Sequence, residues 1–362
     1  MRIATDVACQ KPGLPVAPML HPFFADLTSA EQGTSWEKRY LDFWRDAASL
    51  FEVVDVPDAD VVLIPADWYW VRGTSWASKQ DRELAGRCLE LYRRAVAAGK
   101  PVVVFFTGDR SCDRVPMPEA IVLREGPFKS RMSANDRVLP AFAEDLVAHF
   151  CDGQIVERAK GERPVVGFCG LAGRKTGLKN AAKRVAFAGK IALTEHRIDP
   201  SQFLGENMRA EALELLAADA RVSTNFVIRS QSVFFVVGDA KDLVDVRQQY
   251  VDNMIDCDYV LCMRGSGNYS YRFYEALCMG RIPVFVDTDC KLPFDDVIDW
   301  RSLCVWVDQR DLGDIASAVA EFHARLTPDE FVALQHRARE VWVDYLSARG
   351  YLGRFAEVLA KG

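Results

Sequence analysis

Short apolar runs alternate with amphipathic stretches along nearly the whole chain. Residues 59–65 (ADVVLIP), 101–107 (PVVVFFT), 120–123, 164–168, 259–263, 282–286 and 305–307 read as buried strands, several bounded by proline or glycine. Between them, residues 35–50, 81–98, 140–150, 178–188, 207–218, 242–253, 312–326 and 329–346 carry apolar positions at helical spacing, and 354–359 predicts a short final helix. In the first of these helices Trp36, Tyr40, Phe43 and Trp44 share one side. The first thirty residues are proline-rich and predict an opening strand and loop, and residues 233–237 form a brief apolar run that stops at Gly238.

Strands that are apolar throughout, alternating with helices, predict parallel sheets covered on both faces. A polar stretch over 152–164, with Gly153, Gly161 and Pro164, interrupts the alternation, which then restarts. The expected fold class is α/β, with two Rossmann-like, doubly wound domains over 1–155 and 156–310 and terminal helices over 311–362. There is no internal repeat or low-complexity segment.

Composition narrows the function. A chain of 362 residues, 49% apolar and 27% charged, can bury the core of two ordinary domains. The net charge of -6 argues against general binding to nucleic acid or anionic membrane, both of which need a basic excess. The N-terminal stretch lacks a continuous apolar core of signal-peptide length, and no later run reaches the roughly 18–20 apolar residues that cross a bilayer. The ten cysteines include no CxxC pair, and Cys169, Cys262 and Cys278 sit in apolar contexts, so buried reduced thiols are expected. With five histidines and none near a cysteine pair, no zinc site is expected.

The most informative chemistry lies in residues 258–300, DYVLCMRGSGNYSYRFYEALCMGRIPVFVDTDCKLPFDDVIDW. A strand ends at Arg264-Gly265, Gly267 allows a close or left-handed turn, and Ser270 is placed to cap a helix that begins at Tyr271 and stops at Gly280. A helix N-terminus at the carboxyl edge of a sheet favours an anion. Arg272 and Glu275, three residues apart, share a helix face. The arginine suits a diphosphate, with Arg264 assisting, and the carboxylate suits the hydroxyls of a sugar. The alternative is a solvated ion pair beside an ordinary cap.

These residues resemble the exostosin-like glycosyltransferases (the glycosyltransferase family 47 type), which include heparan-sulfate polymerases and many plant wall-polysaccharide transferases. The resemblance rests on Arg264-Gly265, Ser270, Arg272, Glu275-Ala276, Gly280-Arg281-Ile282-Pro283-Val284, Leu292-Pro293-Phe294 and Ile298-Asp299-Trp300. It covers about the last quarter of the catalytic region and fades upstream to residues 60–65 and 167–170. Arg281 stands where the family usually has Cys. The resemblance implies two domains facing a cleft (the GT-B type), a first domain that binds the acceptor, a second that binds a nucleotide-diphosphate sugar, and terminal helices returning to the first. It further implies an inverting reaction, a UDP-linked donor, a glycan or glycolipid acceptor and no metal or other cofactor. Animal and plant members are usually membrane-anchored. Without such an anchor this chain is expected to be a cytoplasmic, bacterial enzyme of surface-polysaccharide synthesis, with at most peripheral membrane contact.

Three further constellations bear on that expectation. Gly167, Gly170 and Gly173, followed by Arg174, Lys175 and Lys179, form a GxxGxxG loop that meets neither the dinucleotide fingerprint nor the P-loop pattern. Gly170 and Arg174 become donor-binding candidates by the resemblance, while Lys183 and Arg184 read as solvated. For the base that an inverting transfer needs, Asp67 follows a strand among Trp68, Tyr69, Trp70 and Trp76, an aromatic loop that suits a sugar acceptor. The other reading makes Asp67 a helix cap and the tryptophans core. Asp109 and His196 are the competing bases. Asp287-Thr288-Asp289 has the form of a metal-binding DxD, against the metal-free expectation. Two other classes stay open: a nicotinamide oxidoreductase, which lacks its GxGxxG here, and a non-catalytic glycan- or nucleotide-sugar-binding protein.

Overall fold

The computed structural model describes residues 1–11, 14, 16–24, 38–73, 80–173, 185, 205–229 and 240–360. Trp36, the helix expected over 178–188 apart from residue 185, and the run at 233–237 lie outside them. Two sheets organise the chain, and every pairing between their strands is parallel. The first joins β1 (Arg2–Ala4), β2 (Glu52–Val53), β3 (Val61–Ile64), β4 (Val102–Phe106), β5 (Ile121–Glu125) and β6 (Asp136–Leu139) in the order β2-β1-β3-β4-β5-β6. The second joins β7 (Val165–Leu171), β8 (Ser223–Arg229), β9 (Tyr259–Cys262), β10 (Ile282–Asp287) and β11 (Val305–Asp308) in the order β11-β10-β9-β7-β8.

The uniform apolarity of the strands has a direct cause. Side chains alternate across a strand, and here both faces are buried. In β4, Val103 and Phe105 enter one core while Val102, Val104 and Phe106 enter another. In the second sheet Val260 and Cys262 join that first core, whereas Tyr259 and Leu261 face a third. The first core is thus shared by both sheets, and Phe142, Tyr274 and Tyr351 help to fill it.

Helices α1 (Leu41–Leu50), α2 (Trp68–Arg72), α3 (Arg82–Ala97), α4 (Leu146–Phe150), α5 (Gly205–Ala218), α6 (Ala240–Ile255), α7 (Tyr271–Cys278), α8 (Trp300–Leu303), α9 (Ile315–Arg325) and α10 (Pro328–Val341) cover the sheets. A π-helical turn, Trp342–Leu346, follows α10, then α11 (Ala348–Gly353) and α12 (Phe355–Ala360). These last helices lie against the first sheet and α1. Tyr351 donates to Val138 O at 2.9 Å, Arg137 Nε to Val358 O at 3.2 Å, and Arg349 pairs with Asp46 at 2.7 Å.

Several expected elements need correction. The helix expected over 140–150 shrinks to α4, because residues 140–144 are buried on all sides and Asp145 starts the helix by accepting from Ala148 N at 3.0 Å. Strands β6 and β8 went unread; DRVL and STNFVIR carry too many polar residues to register as buried runs. The loop expected from Cys169 onward instead prolongs β7 to Leu171, paired with β8 throughout. The helix expected over 312–326 opens with a 3-10 stretch, Gln309–Asp314, before α9. All ten cysteines are free thiols, with Cys112 and Cys151 half-buried and the rest buried. No described helix is long and apolar enough to cross a membrane.

The carboxyl edges of the two sheets meet. After β5, Phe128 forms an antiparallel bridge with Cys290, Lys129 N donates to Asp289 O at 2.8 Å, and Lys291 N donates to Pro127 O at 3.1 Å. Two Rossmann-like sheets facing each other is the arrangement the resemblance implied.

Candidate functional site

In the second sheet β7 has β8 on one side and β9 on the other, so chain order reverses between β7 and β9. Crevices at such a reversal, outside the carboxyl ends of the strands, are where open α/β sheets hold ligands. Only two residue pairs join β7 to β9, Val166 with Tyr259 and Gly167 with Val260, before the strands part. Three arginines gather in the opening.

Arg272, in the first turn of α7, donates from Nη2 to Cys169 O at 2.8 Å, and its guanidinium lies 4.3 Å from the Phe168 ring centroid. A β-carbon at Gly170 would stand 2.6 Å from that Nη2, so this glycine makes room for the arginine. Arg209, from α5, spans the gap: Nη1 donates to Leu171 O at 2.7 Å and Nη2 to Arg264 O at 2.9 Å. Arg264 is buried; its Nη2 donates to Ser266 O at 3.1 Å and its guanidinium lies 5.5 Å from the Phe128 ring of the first half. Backbone carbonyls orient the guanidiniums of all three. Arg174, Lys175, Lys179, Lys183, Arg184 and His196 lie outside the described residues.

Helix α7 ends as its sequence predicts. Gly280 adopts φ +65°, Arg281 N donates to Ala276 O at 2.8 Å, and Gly280 N to Leu277 O at 3.1 Å, a closed C-terminal motif. At the other end Ser270 has the extended backbone of a cap and its carbonyl accepts from Phe273 N, but its side chain makes no capping bond. Gly267 allows close approach rather than a left-handed turn: a β-carbon there would meet Tyr269 Cε1 at 2.4 Å and Asp109 Oδ1 at 2.8 Å. Arg281 is fully buried, donating to Met254 O and Gln335 Oε1 at 2.9 and 3.1 Å and also to Val156 O, so its charge holds backbone in place, away from the crevice.

Arg272 and Glu275 both approach Tyr250, whose ring centroid lies 5.8 Å from the Arg272 guanidinium. Glu275 is buried, accepting from Arg247 Nη2 at 3.1 Å and from the Tyr250 hydroxyl, both on α6. Arg247 also approaches Glu144 of the first half at 3.5 Å. Burial opposes charge on Arg247, but Glu275 and Glu144 outweigh it and push its pKa up. Burial, then the Glu275 charge, holds the Tyr250 hydroxyl well above its ordinary range. A ribose would reach Glu275 only by exchanging one of these bonds.

Across the crevice stand the carboxylates of the first sheet. Asp67, after β3, is buried; it caps α2 by accepting from Tyr69 N at 2.9 Å, and takes Thr107 N at 3.2 Å and Thr107 Oγ1 at 2.7 Å. Burial raises it to about 6 in spite of these bonds. Trp68 is core, whereas Tyr69 and Trp70, edge-to-face at 5.3 Å, are partly exposed; Trp76 lies outside the described residues. The aromatic loop therefore splits between the two readings. Asp109, after β4, is reached by solvent yet surrounded by protein, as on the wall of a crevice. That enclosure raises its carboxyl above the ordinary range against the pull of the Gly267 N–H, Arg264 and Tyr269. Its contact with the Tyr269 hydroxyl is 3.5 Å.

Sequence reasoning missed Arg209, Arg247, Tyr250 and Glu125. The first three sit in helices whose patterns say nothing of convergence, and Glu125 closes an apolar strand. Glu125 is buried, accepts from Gly108 N at 2.8 Å and is raised to about 8, chiefly by burial. The DxD residues have protein partners. Asp287 accepts from Cys290 N at 3.0 Å and Lys129 Nζ at 2.7 Å, Thr288 donates to Asn268 Oδ1 at 2.7 Å, and Asp289 accepts from the Ser130 hydroxyl. The motif joins the two halves.

Residues 183–322 match the model of the Exostosin GT47 domain. Exostosin-1a of Danio rerio is 32% identical over 102 residues, which are 28% of this chain and 13% of that protein. Exostosin-1 of Mus musculus and of Drosophila melanogaster are each 30% identical over the same shares. The match thus spans only a small part of these relatives' length. A crystal structure of a glycosyltransferase from Rickettsia africae ESF-5 aligns with 100% of this chain and 99% of its own at 11% identity and a TM-score of 0.33, too low to carry an argument.

Proposed function

We propose that this chain, whose residues 183–322 match an Exostosin GT47 domain, is an inverting glycosyltransferase that moves a sugar from a UDP-sugar to a glycan acceptor. The observation that carries the reading is the gathering of Arg264 and Arg272 where β7 and β9 part, with Asp109 of the first half beside Gly267 and within the field of Arg264. Cations fixed by backbone carbonyls suit a diphosphate, whose oxygens accept charge-assisted bonds and whose charge grows as it departs.

In this reading Arg264 and Arg272 hold the diphosphate, Gly170 and Ser270 border it, and Glu275 takes the ribose by exchanging the bond from Tyr250. The acceptor hydroxyl attacks the anomeric carbon as the bond to the phosphate oxygen breaks, and its proton passes to a carboxylate of the first half. Asp109 is the better placed base, because solvent reaches it; Asp67 has both oxygens engaged by Tyr69 and Thr107. The arginines supply the charge that a metal supplies elsewhere, so no cofactor is assigned. Arg174 stays a candidate second phosphate contact. The setting we favour is a bacterial cytoplasm, with a surface glycan as the product.

Screening UDP- and GDP-sugars for thermal stabilisation, then assaying released UDP with a glycan acceptor, tests the reading. A rise in melting temperature with one UDP-sugar and acceptor-dependent release of UDP are expected. Stabilisation without turnover would favour a binding protein, and neither result would overturn the assignment.

A further inference from the structure

Arg209 has no place in the sequence-derived site, yet two backbone carbonyls fix its guanidinium. The guanidinium bridges the two strands at the reversal, holding Leu171 O on one side and Arg264 O on the other. A glycine lets it do so. A β-carbon on Gly205, the first residue of α5, would lie 2.6 Å from Gly265 O, and one on Gly265 would lie 3.5 Å from Arg209 Nη2. The helix therefore reaches the turn after β9 because Gly205 lacks a side chain, while a β-carbon on Gly265 would make only an ordinary contact.

This position carries an electrostatic cost. Burial, and then the neighbouring Arg272, lowers the Arg209 pKa to about 10, with Glu206, one turn earlier on α5, opposing them only in part. Among the described residues, Nε of Arg209 and Nε of Arg272 are buried with no hydrogen-bond partner. Two guanidiniums brought together on carbonyl oxygens, each with an unspent donor, are complementary to a group with several anionic oxygens.

We infer that Arg209 and Arg272 are a paired clamp for the two phosphoryl groups of a diphosphate, with Arg209 a binding residue and not only a bracket for α5. The inference deepens the reading above by assigning its leaving-group contacts.

Inorganic pyrophosphate is the probe, since it tests the clamp without any assumption about a sugar. Titration of the full chain by calorimetry should show binding. Arg209→Gln and Arg272→Gln should each weaken it by at least about tenfold through loss of a charge-assisted contact. The same variants should lower affinity for UDP more than for UMP. If Arg209→Gln binds pyrophosphate and UDP like the wild type while Arg272→Gln does not, the clamp is refuted and the glycosyltransferase reading survives. If pyrophosphate binding depends on both arginines but no UDP-sugar binds or turns over, the clamp stands and that reading falls. If the wild type binds neither pyrophosphate nor UDP, both fall. Should Arg209→Gln fail to fold, the wild type still decides. Pyrophosphate must protect Arg209 and Arg272 alike from phenylglyoxal, mapped by mass spectrometry, and unprotected Arg209 would end the proposal.

Discussion

Lys129 Nζ stands 2.7 Å from Asp287 Oδ2, tying the segment after β5 to the carboxyl end of β10. A dication on Asp287 would have to displace this ammonium, and one on Asp289 would have to displace the Ser130 hydroxyl. Among the described residues no group of three or more His, Cys, Asp and Glu side chains is arranged to hold a metal. Transfer should therefore continue unchanged in EDTA. Loss of activity in EDTA with recovery on adding Mn²⁺ would return a metal to this motif.

Arg272→Ala tests the donor site more directly. It removes a cation held on Cys169 O and against the Phe168 ring, so the affinity for a UDP-sugar should fall by about 1.5–3 kcal/mol, the range for hydrogen bonds to charged groups. Calorimetry on a variant with a wild-type circular dichroism spectrum provides the measurement. Unchanged affinity would remove Arg272 from the site.

Asp109 and Asp67 should separate by kind of damage. Asp109→Asn keeps the shape and removes the base, so kcat should fall roughly 10²–10⁴-fold with donor affinity intact. Its raised pKa moves the acidic limb of the pH–rate profile above the ordinary carboxylate range. Asp67→Ala loses the α2 cap and the Thr107 bonds, so it should cost on the order of 1–2 kcal/mol of stability. A larger kcat defect for Asp67→Asn than for Asp109→Asn would exchange their roles.

The part of the chain most legible in its sequence was β9, α7 and β10, because two continuous apolar strands flank a helix stopped by Gly280. What stayed illegible was of two kinds. Polar-rich strands such as β8 leave no buried-run signal, and residues 140–144, buried on all sides, left an apolar content that reads as helical. The second kind is convergence. The sequence named Arg272 and Glu275 as partners on one face, but local spacing cannot reveal that α6 brings Arg247 and Tyr250 onto the carboxylate. Nor can it reveal that α5 brings Arg209 beside Arg272.

Gly126 measures how closely the halves meet. It adopts φ +52°, and a β-carbon there would stand 2.6 Å from Asn268 O and 2.7 Å from Tyr269 Cβ, with the backbone of the other half in the way. Gly153 has φ +78° with open space around it. Alanine at Gly153 should cost about 1 kcal/mol, the left-handed backbone alone. Alanine at Gly126 should cost roughly 1–3 kcal/mol more, since the halves must also separate. Urea unfolding of both variants gives the difference, and equal losses would mean that the contact yields freely.

Glu125 sets a pH dependence of stability whose sign follows from its environment. Burial lifts it to about 8 from an ordinary value of 4.5, with Asp67 and Asp109 adding repulsion and the Gly108 N–H and Arg39 opposing. Asp67 rises to about 6 from 3.8. Between about pH 4 and 8 the folded chain therefore keeps protons that the unfolded chain has released, and stability must fall as pH rises across that window. Tyr40, Tyr269, Tyr271 and Tyr274 also feel the Glu125 charge, and their own pKa values are all raised, so they do not titrate within the window. Glu125→Gln keeps an acceptor for Gly108 N and removes the ionisation. Its stability should change little between pH 6 and 8.5 where the wild type declines, so its stability relative to the wild type should rise by on the order of 2–3 kcal/mol across that range. Thermal unfolding across that range, read for both proteins, decides the matter: parallel curves would mean that Glu125 ionises as readily in the folded chain as in the unfolded one.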